Sequence, residues 1–208
     1  MALDRRDFLR SAALGTIAGA GGWLLPEAAV ALTKDQAASF VESTMQEVAS
    51  LVQGPGDAAK KAKELRAIME KRGAMSEIAR FVAGVAWRGM SQDQQARFTD
   101  AFTTFISSIY ARRFEQYASE AKKGDLFKLG GVTDAGRKGM LVRTLINRVN
   151  GAPIDVDWLV SDRPGHPVIA DIIIEGVSLL ITERDDVASM LQARNGDVDK
   201  LIEHLSAA

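Results

Sequence analysis

Apolar residues recur at helical spacing through the first half of the chain and switch to a two-residue period in the second half. Phe40, Val41, Met45, Val48 and Val52 fall on one face of a first helix. Thr33, with Gln36 three residues on, supplies a capping box for its start, and the Gly54-Pro55-Gly56 run ends it. A second helix from about Asp57 carries Leu65, Ile68 and Met69 as its stripe and stops at Arg72-Gly73. Ser76 opens a shorter helix that turns Ile78, Phe81, Val82 and Val85 inward and closes at Gly89. Ser91, in a Ser-x-x-Gln pattern followed by Asp93, caps a long helix to about Ser119. Its stripe is Phe98, Phe102, Phe105, Ile106, Ile109, Tyr110, Phe114 and Tyr117.

After Gly124 the alternation predicts strands. They cover Leu126–Leu129, Met140–Val149, Ile154–Ser161, Val168–Glu175 and Val177–Thr182. Asn150-Gly151 is a strong hairpin signal, and Arg163-Pro164-Gly165 supplies turn chemistry before the fourth strand. Gly176 kinks the run that follows. Asp171 and Glu175, four apart, should point to one face of a strand. A helix from about Asp185 turns Val187, Met190 and Leu191 inward. Asn195-Gly196 breaks it, and Asp197 caps a last helix through Leu201, Ile202 and Leu205. Four helices, a run of strands and two helices read as an α+β fold with an antiparallel sheet of four or five strands.

Composition narrows the function classes. The 208 residues carry a net charge of -1, which gives no pull on nucleic acid. No Cys is present, so disulfides, thiolate metal sites, cysteine nucleophiles and a lipoprotein anchor are excluded together. His166 and His204 are too few for most zinc sites and read as surface residues. The first 31 residues read as an export signal. Arg5-Arg6 stand in a twin-arginine motif, a Gly/Ala-rich apolar segment runs from Ser11 to Leu25, and Ala29-Val30-Ala31 marks the cleavage site. Residues 32–208 are then a single domain, expected in the periplasm.

No strong catalytic constellation appears. There is no GxSxG, HExxH or phosphate-cradling glycine loop. Gly136-Arg137-Lys138-Gly139 reads as a solvated turn. Asp171 and Glu175 could work as general bases if buried together. Otherwise they form the solvent face of the sheet, or ion pairs with Arg143 or Arg184.

One stretch after another then resembles a known family. Phe81-Val-Ala-Gly-Val-Ala-Trp-Arg-Gly-Met-Ser-Gln-Asp-Gln-Gln-Ala-Arg-Phe, Tyr110-Ala-Arg-Arg-Phe, Val156-Asp-Trp, Asp171-Ile-Ile-Ile-Glu-Gly-Val-Ser and Ala188-Ser-Met-Leu resemble MlaC, the toluene-tolerance family of periplasmic phospholipid-binding proteins. The resemblance runs through nearly all of residues 32–208. It implies an NTF2-like fold, with a twisted sheet and helices around an apolar cavity that holds phospholipid tails as cargo, and no cofactor or metal. It implies a monomeric shuttle between an outer-membrane lipoprotein–porin complex and an inner-membrane ABC transporter with an MCE-domain protein, which maintains outer-membrane lipid asymmetry. A twin-arginine leader would mean folding before export. A sister branch linked to hopanoids leaves another lipid open.

On this reading Phe81, Val85, Phe102, Phe105, Ile106, Ile109 and Phe114 supply the helical side of the cavity wall. Val142, Ile146, Val156, Trp158, Val160, Ile172 and Ile174 supply the sheet side. Phe105→Asp should then expel lipid and spare the fold. A diacyl lipid exposes on the order of 30 methylenes, worth roughly 25 kcal/mol in water at ~0.8 kcal/mol each. A soluble carrier must therefore enclose its tails. Two rivals make different demands. An NTF2-like enzyme for a hydrophobic small molecule needs Asp171 or Glu175 buried in the cavity. An adaptor for a partner protein needs a filled interior and an exposed apolar patch.

Overall fold

The computed structural model describes residues 32–118, 126–148 and 151–207. Residues 1–31, read above as an export signal, Asn150, read as part of a hairpin turn, and the side chains of Phe114 and Tyr117 lie outside what is described. Four helices come first: α1 Lys34–Gln53, α2 Ala58–Arg72, α3 Met75–Ala83 and α4 Gln92–Ala118. The caps of α1, α2 and α4 are those the sequence indicates, whereas α3 starts at Met75 with no side-chain cap, and Ser76, expected to open it, lies inside its first turn. The Thr33 hydroxyl accepts from the Gln36 N–H at 3.2 Å, while the Thr33 N–H donates to the Gln36 side chain at 2.9 Å. Ser91 and Gln94 make the same reciprocal pair at the start of α4. Asp57 accepts from the Lys60 N–H for α2. A 3-10 segment, Gly84–Gly89, joins α3 to α4.

The sheet is an antiparallel meander of five strands in chain order: β1 Phe127–Asp134, β2 Met140–Ile146, β3 Ile154–Ser161, β4 Val168–Ile174 and β5 Val177–Ser178. Helices α5 Leu179–Gln192 and α6 Val198–Ser206 follow, the last capped by Asp197. β1 is longer than the sequence suggests. It continues through Gly130-Gly131 with a register shift between Leu129 and Val132, because a bulge lets two glycines stay in a strand. Gly139 permits the tight entry to β2: at its φ of 119° a Cβ would stand 2.0 Å from the Val160 carbonyl oxygen.

Apolar groups gather in two cores. In the helical core Phe98 and Phe102 stack at 6.1 Å and Trp87 meets Phe98 edge-on at 6.3 Å. Val187 of α5 and Leu201 and Leu205 of α6 close around them. The second core is the face of the sheet under α1, where Ala37, Val41 and Met45 meet Val142, Val156, Val160 and Ile169.

The largest departure from the sequence pattern is at β5. The Val177–Thr182 run reads as a strand, yet only Val177 and Ser178 pair with β4, and Leu179 already begins α5. Two caps explain the early start. The Ser178 hydroxyl accepts from the Ile181 N–H at 3.2 Å, and the Asp171 carboxylate accepts from the Leu180 N–H at 3.1 Å. Satisfying these otherwise orphaned donors outweighs the strand preference of Leu-Leu-Ile-Thr.

Candidate functional site

Between the two cores the molecule is not filled. An apolar cavity of about 240 Å³, open to solvent on one side, lies there. Apolar cavities of ~150 Å³ already stay dry and take up benzene. The sheet side consists of Ile146 on β2, Val156 and Trp158 on β3, and Ile169, Ile172 and Ile174 on β4. These share a face because the register pairs Val156 with Ile174 and Trp158 with Ile172. Opposite them stand Met45 and Val48 of α1, Leu65, Ile68 and Met69 of α2, and Met75, Ile78 and Val82 of α3. Phe102, Ile106 and Tyr110 of α4 and Leu179 and Leu180 of α5 complete the ring. The exposed lining is hydrocarbon almost throughout.

The polar residues of the wall are turned toward partners. Trp158 Nε1 donates to Thr144 Oγ1 at 2.9 Å, and that hydroxyl donates to the Val156 carbonyl at 3.1 Å. The indole can therefore present its ring to the cavity without an orphaned N–H. Thr144→Val should cost about 1–3 kcal/mol by stranding that donor, seen as a lower unfolding temperature with the sheet intact. Arg72 reaches out to Glu47, lies 5.2 Å over the Phe40 ring, and keeps a buried Nε with no partner among the described residues. The guanidinium beside Glu47 holds that carboxyl below its usual range.

Asp171 and Glu175 do not share a face. β4 ends at Ile174. Glu175 (φ 49°) and Gly176 (φ 81°) form the two-residue turn to β5, and positive φ at both is what a type I′ hairpin turn requires. The Glu175 carboxylate is exposed and accepts from the Asp155 N–H at 2.7 Å, while its own N–H donates to the Asp155 carbonyl at 2.9 Å. Asp171 accepts from the Ile172 N–H at 2.8 Å, the Ser178 hydroxyl at 2.6 Å and the Leu180 N–H at 3.1 Å. Neither acid pairs with the arginines expected for them. Arg143 bonds Asp157 across β2 and β3, and Arg184 lies over the Phe81 ring at 4.9 Å. The stretch Asp171–Ser178 is thus the joint that turns β4 into α5 and puts both on the cavity wall.

Of the wall residues read from the sequence, Phe102, Ile106, Ile146, Val156, Trp158, Ile172 and Ile174 come together there. Phe105 and Ile109 instead pack into the helical core, and Val142 and Val160 lie in the core beneath α1. Phe81 and Val85 are surface residues, 38% and 80% exposed. α3 stops at Ala83, so the helical face that would carry Val85 inward is not continued. The contributions of α1 and α2 were missed. Their stripes are legible in the sequence, but which of two neighbouring surfaces a stripe faces is not.

A polar pair was also missed. Glu183 of α5 is buried and Tyr110 of α4 donates to it at 3.1 Å. Burial, reinforced by the nearby Asp186 charge, pushes the Glu183 carboxyl up. Burial and the carboxylate likewise hold the Tyr110 phenol well above its usual range, so it stays a donor. The sign follows: an acid with a raised folded-state pKa supports the fold fully at low pH and loses that support as pH rises through the folded value. Glu183→Gln, which keeps an acceptor for Tyr110, should therefore raise the unfolding temperature at neutral and alkaline pH and leave it nearly unchanged in acid.

A family model described as MlaC protein matches residues 38–207. The chain belongs to the MlaC family. A solved structure of a phospholipid-binding protein from Ralstonia solanacearum, in complex with a phospholipid, is similar in fold, with a TM-score of 0.67 at 21% identity over 82% of this chain and 95% of that one. No protein with a curated description matches at a significant level. The matched region of this MlaC-family chain takes in α1 from its second turn through α6 and so includes every cavity-lining residue named above.

Proposed function

We propose that this protein is a periplasmic phospholipid carrier, which encloses acyl chains in the cavity between sheet and helices and moves them between membranes. The observation that carries the reading is the lining: a large, preformed hollow whose surface is hydrocarbon almost throughout, with Trp158, Tyr110, Glu183 and Asp171 of its wall held in hydrogen bonds. Such a surface suits methylenes, which offer nothing to hydrogen-bond. Family membership and a phospholipid-bound protein of similar fold support it. The working context is an Mla-type system: loading or unloading at an inner-membrane ABC transporter with an MCE-domain protein and at an outer-membrane lipoprotein–porin complex, with export through the twin-arginine leader.

The enzyme reading is less favoured. Both Asp171 oxygens are occupied by the β4–α5 joint, and Glu175 lies in an exposed turn. Organic extraction of gently purified protein, followed by mass spectrometry, tests the carrier. Near-stoichiometric phospholipid is expected. A hopanoid in its place would keep the carrier and change its cargo, and a lipid-free extract would contradict the reading.

A further inference from the structure

Leu32 follows the Ala29-Val30-Ala31 cleavage signal and is the first residue of the described fold. It is not a loose end. Its side chain is buried at 7% exposure in the core beneath α1, with Ala37, Val41 and the inner face of the sheet. Its N–H donates to Asp162 Oδ2, just past the end of β3, at 2.9 Å. Thr33, one residue on, caps α1. The Leu32 nitrogen is thus fixed on a carboxylate where the start of α1 meets the end of β3.

A carboxylate in that place has a cost. Asp162 is half-buried and makes no ion pair among the described residues. Arg163 beside it turns to the Arg137 carbonyl. The turn after β3 is closed by the Gly165 N–H on the Asp162 carbonyl at 2.8 Å, so it uses the backbone and not the side chain. The side-chain bond that an aspartate commonly makes in a turn goes to the N–H two residues on, and Pro164 has none. A lone amide N–H asks only for a neutral acceptor such as Asn or Ser. A half-buried anion costs more than that bond requires, and a cation at the nitrogen it holds would balance it.

We propose that Asp162 is the receptor for the α-ammonium group that cleavage after Ala31 creates on Leu32. This rests on the export-leader reading above. Hydrolysis adds one water across the Ala31–Leu32 bond: the leader leaves with a carboxylate on Ala31, and Leu32 keeps its nitrogen as an ammonium. A neutral hydrogen bond becomes an ion pair at a distance suited to one. A cation one residue ahead of the Thr33 cap opposes the positive end of the α1 dipole, and Asp162 offsets it. Lys34 and Asp35, the charges next along α1, are exposed and of opposite sign. The bond can be reached by releasing Leu32 alone, and chain ends open most cheaply. Removal of the leader therefore tightens the seat of α1 on the sheet, and α1 carries Met45 and Val48 to the cavity wall.

The test begins with the N-terminal sequence of the exported protein, which should start at Leu32. Folding stability is then compared between the exported protein and the full chain, kept uncleaved in the cytoplasm by Arg5→Lys and Arg6→Lys, each with and without Asp162→Asn. Asn keeps an acceptor for the N–H and removes the charge. In the full chain that substitution should change the folding constant by less than about threefold, and in the exported protein it should lower it by about tenfold. The difference should shrink in about 1 M salt. The second readout is the rate of N-terminal acylation near neutral pH, followed by mass spectrometry. The exported wild type should react about tenfold more slowly than its Asp162→Asn variant or a free Leu-Thr-Lys peptide, as a pair that raises the amine's pKa by one pH unit requires. Equal losses in the exported and uncleaved forms, or an amine that reacts as fast as the free peptide's, would overturn the pairing and leave the leader and the carrier intact. A start elsewhere than Leu32 would overturn cleavage after Ala31 and the pairing with it.

Discussion

Ile172→Asp should leave a folded protein that no longer holds lipid. Ile172 faces the cavity from β4, opposite Trp158 in register, and is only half-buried. In the empty protein an aspartate there can be wetted through the open side of the cavity, so the fold loses little. With acyl chains in place the carboxylate must be desolvated or the chains withdrawn. The penalty is at least about 3 kcal/mol, hence roughly a hundredfold or more in lipid affinity. Lipid content of the purified variant, with circular dichroism as the control for folding, reads this directly. Phe105→Asp should behave differently from the expectation drawn from the helical stripe alone. Phe105 is buried in the helical core and does not line the cavity. A charge there should abolish folding, and an insoluble or unfolded product would be the mark of that placement.

The second large effect is expected at the joint. Asp171→Ala removes the acceptor shared by the Ile172 N–H, the Ser178 hydroxyl and the Leu180 N–H. Bonds to a charged acceptor contribute about 1.5–3 kcal/mol each and are not additive in one cluster, so a loss of about 3 kcal/mol is reasonable. The variant should lose lipid as well, because the start of α5 places Leu179, Leu180 and Glu183 on the wall. Asp171→Asn, which keeps one acceptor oxygen, should recover part of both. Denaturant titration and lipid content measured on the same samples would separate this from a catalytic role, which the Asn variant would not rescue.

Much of the fold was legible in the sequence because local rules decide it. The Thr33–Gln36 and Ser91–Gln94 boxes and the Asp57 and Asp197 caps are written in single residues, and each forms its bond. β3 could be read because its alternation faces one core, and β4 because its Ile- and Val-rich run is too apolar for a solvated loop. The β5–α5 boundary could not: Asp171 caps Leu180 from nine residues back, and no window centred on Leu179 contains that information. The family stretch Asp171–Ser178 was visible, but its job was misread as paired acids on a strand, since the turn at Glu175-Gly176 flips the second acid out of the sheet.

The cavity itself was half legible. β-strand positions on the right face fall on its wall as soon as register is set, so Val156, Trp158, Ile172 and Ile174 are found there. A helix stripe offers no such rule. α4 serves a solid core on one side of its stripe and the hollow on the other, which parts Phe105 and Ile109 from Phe102 and Ile106. Val85 failed for a simpler reason, since the chain leaves the α-helix at Gly84.

The central claim is that the space between the two cores holds hydrocarbon. Crystallographic density from protein purified gently and crystallised without added lipid tests it most directly. Continuous, branched density of chain-like width, running between Trp158 and Ile172 on one side and Phe102 and Ile68 on the other, is the expected result. Side chains collapsed into that space, or ordered water alone within it, would contradict it.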